Sequence, residues 1–316
     1  MRILVTGACG YKGTVLVPKL LAAGHEVTAV DVMWFGNFLE KTPGETPNLT
    51  CIEGDVRDPD LIDLMGFDAV IHLASIANDP CGDLNPKLTW EVSVLATMQL
   101  ADKAVRAGVK QFIYASSGSV YGISDEPQVT EDLPLLPISE YNKTKMCAER
   151  VLLSYANDMA IQIVRPATVC GVSPRMRLDV SVNLLTMAAI DTQKITVLGG
   201  AQVRPNIHID DVTDLYVFML DRPDVTGIYN AGFENMSIMS IAEEVAKVFP
   251  TEIMVEPSND PRSYRLNSDK LLAKGFAPKK TVADAISEVI AAYQRGDLKN
   301  EDRFHNLRWM QARGFA

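Results

Sequence analysis

Thr6-Gly7-Ala8-Cys9-Gly10-Tyr11-Lys12-Gly13 is the stretch on which the reading of this chain turns. The apolar run Arg2 to Thr6 precedes it and stops at Gly7. Tyr11 to Ala23 then reads as a helix ended by Gly24, and Glu26 to Val30 (EVTAV) reads as a second strand closed by Asp31. Strand, glycine-rich turn, helix, strand and acid thus follow one another within about 30 residues. The glycines are spaced GxxGxxG. Glycine permits the tight turn, lets backbone amides approach a diphosphate, and allows the helix to pack closely on the strand. The unit therefore points to a bound dinucleotide. Asp31 is placed to accept hydrogen bonds from an adenosine ribose and would repel a 2′-phosphate. No arginine follows in Val32-Met33-Trp34-Phe35, so NAD is expected rather than NADP. Lys12 stands where an apolar neighbour of the third glycine is usual; its ammonium either snorkels to solvent or meets a phosphate.

The same alternation continues downstream. Leu49 to Glu53 (LTCIE), Asp68 to Leu73 (DAVIHL), Gln111 to Ser116 (QFIYAS) and Ala160 to Arg165 (AIQIVR) read as further strands. A long helical pattern spans Asn85 to Ala107. Strands that alternate with helices specify an α/β fold, a doubly wound parallel sheet of the Rossmann kind covered on both faces. Ligands of such sheets lie beyond the carboxyl ends of the strands, where Gly7, Asp31, Asp55, Ala74, Ser117 and Pro166 fall. Past Gly171 the alternation becomes irregular: Val180 to Ile190, Asp211 to Leu220 and Ser240 to Val248 read as helices, and Ile195 to Leu198 as a short strand.

Composition narrows the partners. The 316 residues carry 30 basic and 40 acidic side chains, a net charge of −10, with 47% hydrophobic residues. A surface with a pI near 5.0 repels nucleic acid and anionic membranes, so neither is expected as a partner. Cys9, Cys51, Cys81, Cys147 and Cys170 show no CxxC spacing and the histidines do not cluster, a pattern of reduced thiols with no metal site. MRILVTGACG is interrupted too early by glycine to be a signal peptide, and no run of 18 apolar residues occurs, so a soluble, cytoplasmic protein is expected.

SEYNKTKMCAERVLLSYAND reads as an amphipathic helix starting at Ser139 or Glu140. Residues four apart share a helix face, which puts Lys145 over Tyr141 while Lys143 points elsewhere. An ammonium beside a phenol favours the phenolate, so the pair is suited to moving a proton off a hydroxyl.

With TGACGYKG, Asp31, Gly54-Asp55-Val56, His72-Leu73-Ala74, SSGSVYG (116–122) and YNKTK in hand, the chain resembles the extended short-chain dehydrogenase/reductases. More narrowly it is similar to their NAD-dependent epimerase/dehydratase branch, which acts on nucleotide sugars. RPNIHIDDV (204–212) and SYRLNSDKLLAKGF extend the likeness over nearly the whole chain. The resemblance implies that Tyr141 is the acid/base, that Lys145 binds the nicotinamide ribose and depresses the tyrosine pKa, and that Ser117 bonds the reacting sugar hydroxyl. It implies NAD contacts at Gly7, Gly10, Tyr11, Gly13, Asp31, Asp55, Val56, Leu73, Ala74, Tyr141, Lys145 and Pro166. Ser117, Ser119, Thr168, Asn183, Arg204 and Arg262 are the implied substrate contacts, Arg204 and Arg262 toward the diphosphate. The implied organisation is an NAD-binding domain over 1–170 with a return near 203–232, and a smaller substrate lobe over 171–316. The helices at Asn85 and Tyr141 are those through which relatives dimerise, so a homodimer is expected. The loops 75–82 and 173–179 are placed beside the sugar, Arg175 and Arg177 facing a phosphate, a carboxylated sugar or solvent. His72 and His208 are left outside the catalytic set.

Which reaction follows hydride removal depends on the neighbours of Ser117. Dehydratases of the family carry an Asp-Glu pair there, whereas this chain has Gly118-Ser119, which cannot perform elimination. An epimerase needs only reversible oxidation, rotation of the ketosugar and hydride return, and small residues leave room for that turn. Epimerisation, at carbon 4, is the leading expectation. Dehydrogenation with release of NADH uses the same residues and is its rival; a reductase, a 4,6-dehydratase and a non-enzymatic dinucleotide sensor rank below. Ser93, Thr168 and Cys170-Gly171 depart from the family pattern and leave the sugar open. The segment from Arg295 onward is expected to fold back on the second lobe.

Overall fold

Seven parallel strands form the centre of the molecule in the computed structural model, which describes residues 1–39, 46–124, 126–258 and 263–314. The strands are β1 (Arg2–Thr6), β2 (Glu26–Asp31), β3 (Leu49–Glu53), β4 (Ala69–His72), β5 (Gln111–Ala115), β6 (Ala160–Pro166), β7 (Thr168–Cys170), β8 (Lys194–Leu198), β9 (Val203–His208), β10 (Gly227–Ala231), β11 (Glu234–Ser237) and β12 (Glu252–Glu256). The large sheet has the order β10-β6-β5-β4-β1-β2-β3. The chain winds outward from β1 through β2 to β3, then returns to β4 on the other side of β1. The carboxyl ends of β1 and β4 thus flank the point where the winding reverses, where such sheets open a crevice.

Burial explains the strands. Every residue of β4 and β5 is buried, as expected of strands covered on both faces. On one face Leu16, Val17 and Leu20 of the helix Gly13–Ala22 pack with Val212, Leu215 and Met219 of the helix Ile209–Asp221. On the other, Ala101 and Ala104 of the helix Ala96–Arg106 meet Ala148 and Leu152 of the helix Glu140–Leu153.

The region expected as one helix from 85 to 107 is three joined pieces: Pro86–Trp90, a π turn Glu91–Leu95, and Ala96–Arg106. A short helix, Asp79–Leu84, precedes it and was not foreseen in the sequence; the Asn78 side chain caps it by accepting from the Cys81 amide at 3.0 Å. Past β6 the irregular alternation resolves into two small sheets, β11-β9-β7 and β12-β8, while β10 returns to the large sheet beside β6. The helices Ser181–Thr192, Ile238–Val248 and Val282–Gln294 enclose a separate apolar cluster that includes Ile195, Val197, Ile241, Val245 and Ile286.

The last segment goes further than expected. Phe304 O accepts from Leu178 N at 2.8 Å, and the helix Asn306–Ala312 reaches the loop after β2, where Trp309 Nε1 donates to Trp34 O at 2.8 Å. Among the described residues no helix is long and apolar enough to cross a membrane.

Candidate functional site

A cavity of about 540 Å³ opens at the carboxyl ends of β1, β2, β4, β5 and β6, a size usual for a small-molecule or cofactor site. The glycine-rich turn forms its floor. Gly7 sits at φ +68°, and a Cβ there would lie 2.6 Å from Ala74 N; at Gly13 it would lie 2.3 Å from Ala8 O. Those positions admit glycine alone without backbone movement. The turn is held to β2 by Gly7 N, which donates to Val30 O at 2.8 Å.

Asp31 stands at the cavity wall with one carboxylate oxygen accepting from Cys9 N at 3.0 Å and the other from Met33 N at 2.8 Å. Burial raises its pKa, with both amides and Arg175 acting in the other direction. A carboxylate has about four acceptor directions, so capacity for a ribose remains. Asp55, Val56, Leu73 and Ala74 also line the cavity. Asp55 is gripped by Arg57, 2.7 Å from its Nη2, which holds the carboxyl below its ordinary range against the effect of burial.

Ser117, Tyr141 and Lys145 meet at the opposite end. Ser139 caps the helix Glu140–Leu153, accepting from Asn142 N at 3.1 Å, and so fixes where Tyr141 enters. The Ser117 side chain is hydrogen-bonded to Tyr141 and lies 2.7 Å from Ser119 Oγ. Lys145 Nζ is 5.9 Å from the Tyr141 ring centroid, on the same helix face, and donates to Ala115 O at 2.7 Å. Burial pushes the Tyr141 phenol up to about 12; the Ser117 hydrogen bond and Arg177 pull it down, Asp79 pushes it up, and Lys145 is not among the causes. The direction is therefore the reverse of the depression expected from the helix spacing: desolvation of the phenolate outweighs an ammonium whose bond goes to the backbone of β5. Burial likewise drives the Lys145 pKa down.

The middle of the same helix is anchored by a buried ion pair. Glu149 accepts from Arg165 Nε at 2.9 Å and from Arg165 Nη2 at 2.6 Å, tying the helix to β6 one residue before Pro166.

Ser119, Thr168, Arg204 and Tyr11 line the cavity. Asn183 does not reach it, contrary to expectation. Its Oδ1 accepts from Gly171 N at 3.0 Å, and its Nδ2 donates to Tyr11 Oη at 3.0 Å and Arg177 O at 2.9 Å. Every polar atom of that carboxamide is engaged in fixing the cavity wall. Arg262, with the Asp260 to Arg262 part of the expected closing loop, lies outside the described residues. His208 is a helix cap: Nδ1 accepts from Asp210 N at 3.1 Å and Nε2 pairs with Glu288 at 3.0 Å. Glu288 is also held by Lys280, 2.8 Å away.

Asn78, Asp179 and Asn306 line the cavity from three separate segments; the first two lie in the loops 75–82 and 173–179 expected beside the sugar, without having been singled out there, and Asn306 was missed. The Arg177-x-Asp179 spacing was a signal for one of them, since residues two apart in extended chain share a side. Nothing local marks Asn306.

The features suit a dinucleotide: two positions closed to any Cβ, an acid at the end of β2, and a helix N-terminus facing the cavity. The comparison with known proteins agrees. The description of the NAD-dependent epimerase/dehydratase family matches residues 3–232, and the chain belongs to that family. UDP-glucose 4-epimerase of Corynebacterium glutamicum is 28% identical over 313 residues, spanning 91% of this chain and 94% of the relative. Among solved structures, MoeE5 in complex with UDP-glucuronic acid and NAD superposes with a TM-score of 0.82 at 27% identity, covering 94% of this chain and all of that one. The dTDP-glucose 4,6-dehydratase DesIV of Streptomyces venezuelae, solved with NAD bound, gives 0.84 at 25% identity, covering 95% and 99%. NAD is the cofactor of this family, and the residues present fit it.

Proposed function

We propose that the protein is an NAD-dependent nucleotide-sugar epimerase that inverts a hydroxyl, at carbon 4, of the sugar. The observation that carries this reading is the convergence of Ser117, Tyr141 and Lys145 on the cavity that the glycine-rich turn and Asp31 also line. Bound NAD supplies a hydride acceptor and donor. Tyr141 would act first as the phenolate that takes the hydroxyl proton while the hydride leaves the sugar, and then as the phenol that returns the proton to the ketone oxygen. Burial favours the phenol, so the phenolate forms against a desolvation cost. Ser117 is hydrogen-bonded to that phenol, and its single hydroxyl proton, which points to Ser119 Oγ here, would turn to the same sugar oxygen when substrate binds. Lys145, fixed by Ala115 O, stands beside the oxygen on which negative charge develops, and that developing charge would favour its ammonium form against the effect of burial. Gly118 and Ser119 supply no acid or base for elimination, and their small size leaves space for the ketosugar to turn.

Thr168, Ser119 and Arg204 are the proposed substrate contacts, with Arg204 toward the diphosphate. The names of the relatives put uridine diphosphate sugars first. A homodimer through the helices 86–106 and Glu140–Leu153 belongs to the same proposal; Trp90, Leu95 and Met98 expose apolar surface on the first of these. A cytoplasmic site of action fits five free cysteines.

The test is incubation with UDP-, GDP-, CDP- and dTDP-sugars in deuterated water, followed by absorbance at 340 nm and NMR of the sugar. A new stereoisomer without net NADH is expected. Stoichiometric NADH on adding NAD would make the protein a dehydrogenase, and a new methyl group carrying deuterium at carbon 5 a dehydratase.

A further inference from the structure

Lys12 is the residue of the glycine-rich turn that the function above leaves unused. It precedes the helix Gly13–Ala22 and contributes no side-chain cap, and the first turn of that helix holds no acid. Its side chain lines the cavity, with Nζ 3.4 Å from Tyr216 Oη. The titratable and charged groups around it are Tyr216 of the helix Ile209–Asp221, Arg177 of the 175–179 loop and Lys145 of the helix Glu140–Leu153. None is an acid, and among the described residues no carboxylate lies within 4.0 Å of Lys12 Nζ.

The acids of the cavity are committed elsewhere. Asp31 accepts two backbone amides, Asp55 holds Arg57, Asp79 accepts from Ser139 and Asp179 holds Arg177. Lys12 and Lys145 therefore face one cavity with no carboxylate in ion-pair contact among the described residues; Glu149, which acts on Lys145 from a distance, is itself held by Arg165. Burying cations in that way is costly unless an anion completes the site. Burial, and after it Arg177, pulls the Lys12 pKa down to about 8.

We propose that Lys12 is an anion-binding residue of the cofactor site, where its ammonium pairs with the diphosphate of the dinucleotide beside the helix N-terminus. The proposal rests on NAD being the cofactor. An anion at that point restores the charged form of the lysine, so binding near pH 8 takes up protons.

The experiment is calorimetric titration of NAD into cofactor-stripped wild type, Lys12→Met and Lys12→Arg, in buffers of different ionisation heat at pH 8. UDP-glucose and UDP-glucuronic acid are then titrated into the NAD-loaded proteins. Lys12→Met is expected to bind NAD roughly 10- to 100-fold more weakly, Lys12→Arg to recover most of the loss, and proton uptake to vanish in Lys12→Met. Methionine keeps the length of the stem at a position that tolerates apolar residues. Unchanged NAD affinity and proton uptake in Lys12→Met would overturn the proposal. A loss confined to UDP-glucuronic acid would overturn it too, assigning Lys12 to a sugar carboxylate. Wild type that binds no NAD would sink the cofactor reading itself, and this inference with it.

Discussion

Asp179 holds Arg177 at two points, Oδ1 to Nε at 2.9 Å and Oδ2 to Nη2 at 3.1 Å. The same carboxylate accepts from Asn78 Nδ2 at 3.2 Å and from Asn306 N at 3.1 Å. One side chain thus joins the 175–179 loop, the loop after β4 and the final helix around the cavity. Arg177 keeps the Asp179 carboxyl below its usual range despite burial.

Replacing Asp179 by Asn keeps the shape and removes the charge, leaving Arg177 largely buried without a counter-ion. The expected loss of stability at neutral pH is about 3 kcal/mol, read by urea unfolding, with NAD released more readily on gel filtration. Because the folded pKa is depressed, this contribution is present above the unfolded value of 3.8 and fades as pH falls through the folded one. Wild type and variant should therefore converge in acid. Parallel stability curves down to pH 2 would show that the charge is not what matters.

Tyr141→Phe removes the proton carrier but not the walls of the site. Turnover should fall about 10²- to 10⁴-fold while bound NAD per chain, measured after acid release, stays the same. Loss of NAD together with turnover would mean that Tyr141 supports the cofactor rather than the proton transfer.

Gly13→Ala drives a Cβ to 2.3 Å from Ala8 O, whereas the same change at Gly10 brings it to 3.1 Å from Gly7 O. The first should cost about 1–3 kcal/mol and weaken NAD binding sharply. The second should do distinctly less on both counts. Fluorescence titration and thermal unfolding of the two variants side by side test the ranking.

His72 is buried at the carboxyl end of β4. Thr97 donates its hydroxyl to Ser93 O, so His72 Nε2 donates to Thr97 Oγ1 at 2.9 Å while Nδ1 accepts from Thr6 Oγ1 at 2.6 Å. Burial, aided by Lys145, depresses its pKa to about 3. The stability it contributes is complete above the unfolded value of 6.5 and lost as pH falls through about 3. Wild type should lose stability between those limits, and His72→Gln should flatten part of that slope. An identical slope in the variant would assign the acid sensitivity to the carboxylates.

What the sequence made legible was local. The turn glycines, Asp31 and the Tyr141–Lys145 spacing lie within single elements, so periodicity alone places them. Asn183 shows where that ends: its position on the helix was readable, but its orientation is set by Tyr11, 172 positions away. The bond of Lys145 to Ala115 O depends in the same way on how a helix docks on β5, and with it the direction of the Tyr141 pKa. β9 contains Pro205 and pairs with β7 and β11 outside the large sheet, a pairing no alternation of strands and helices announces.

Asn306 also has a temporal consequence. Its backbone bond to Asp179, and its side-chain bond from Arg175, close a wall of the cavity whose floor is the glycine-rich turn. On the ribosome the floor is made first and that wall roughly 300 residues later, about 15–60 s at ordinary elongation rates. Until Asn306 has been made a nascent chain lacks that wall, so closure of the pocket waits on a segment far downstream of the turn that forms its floor.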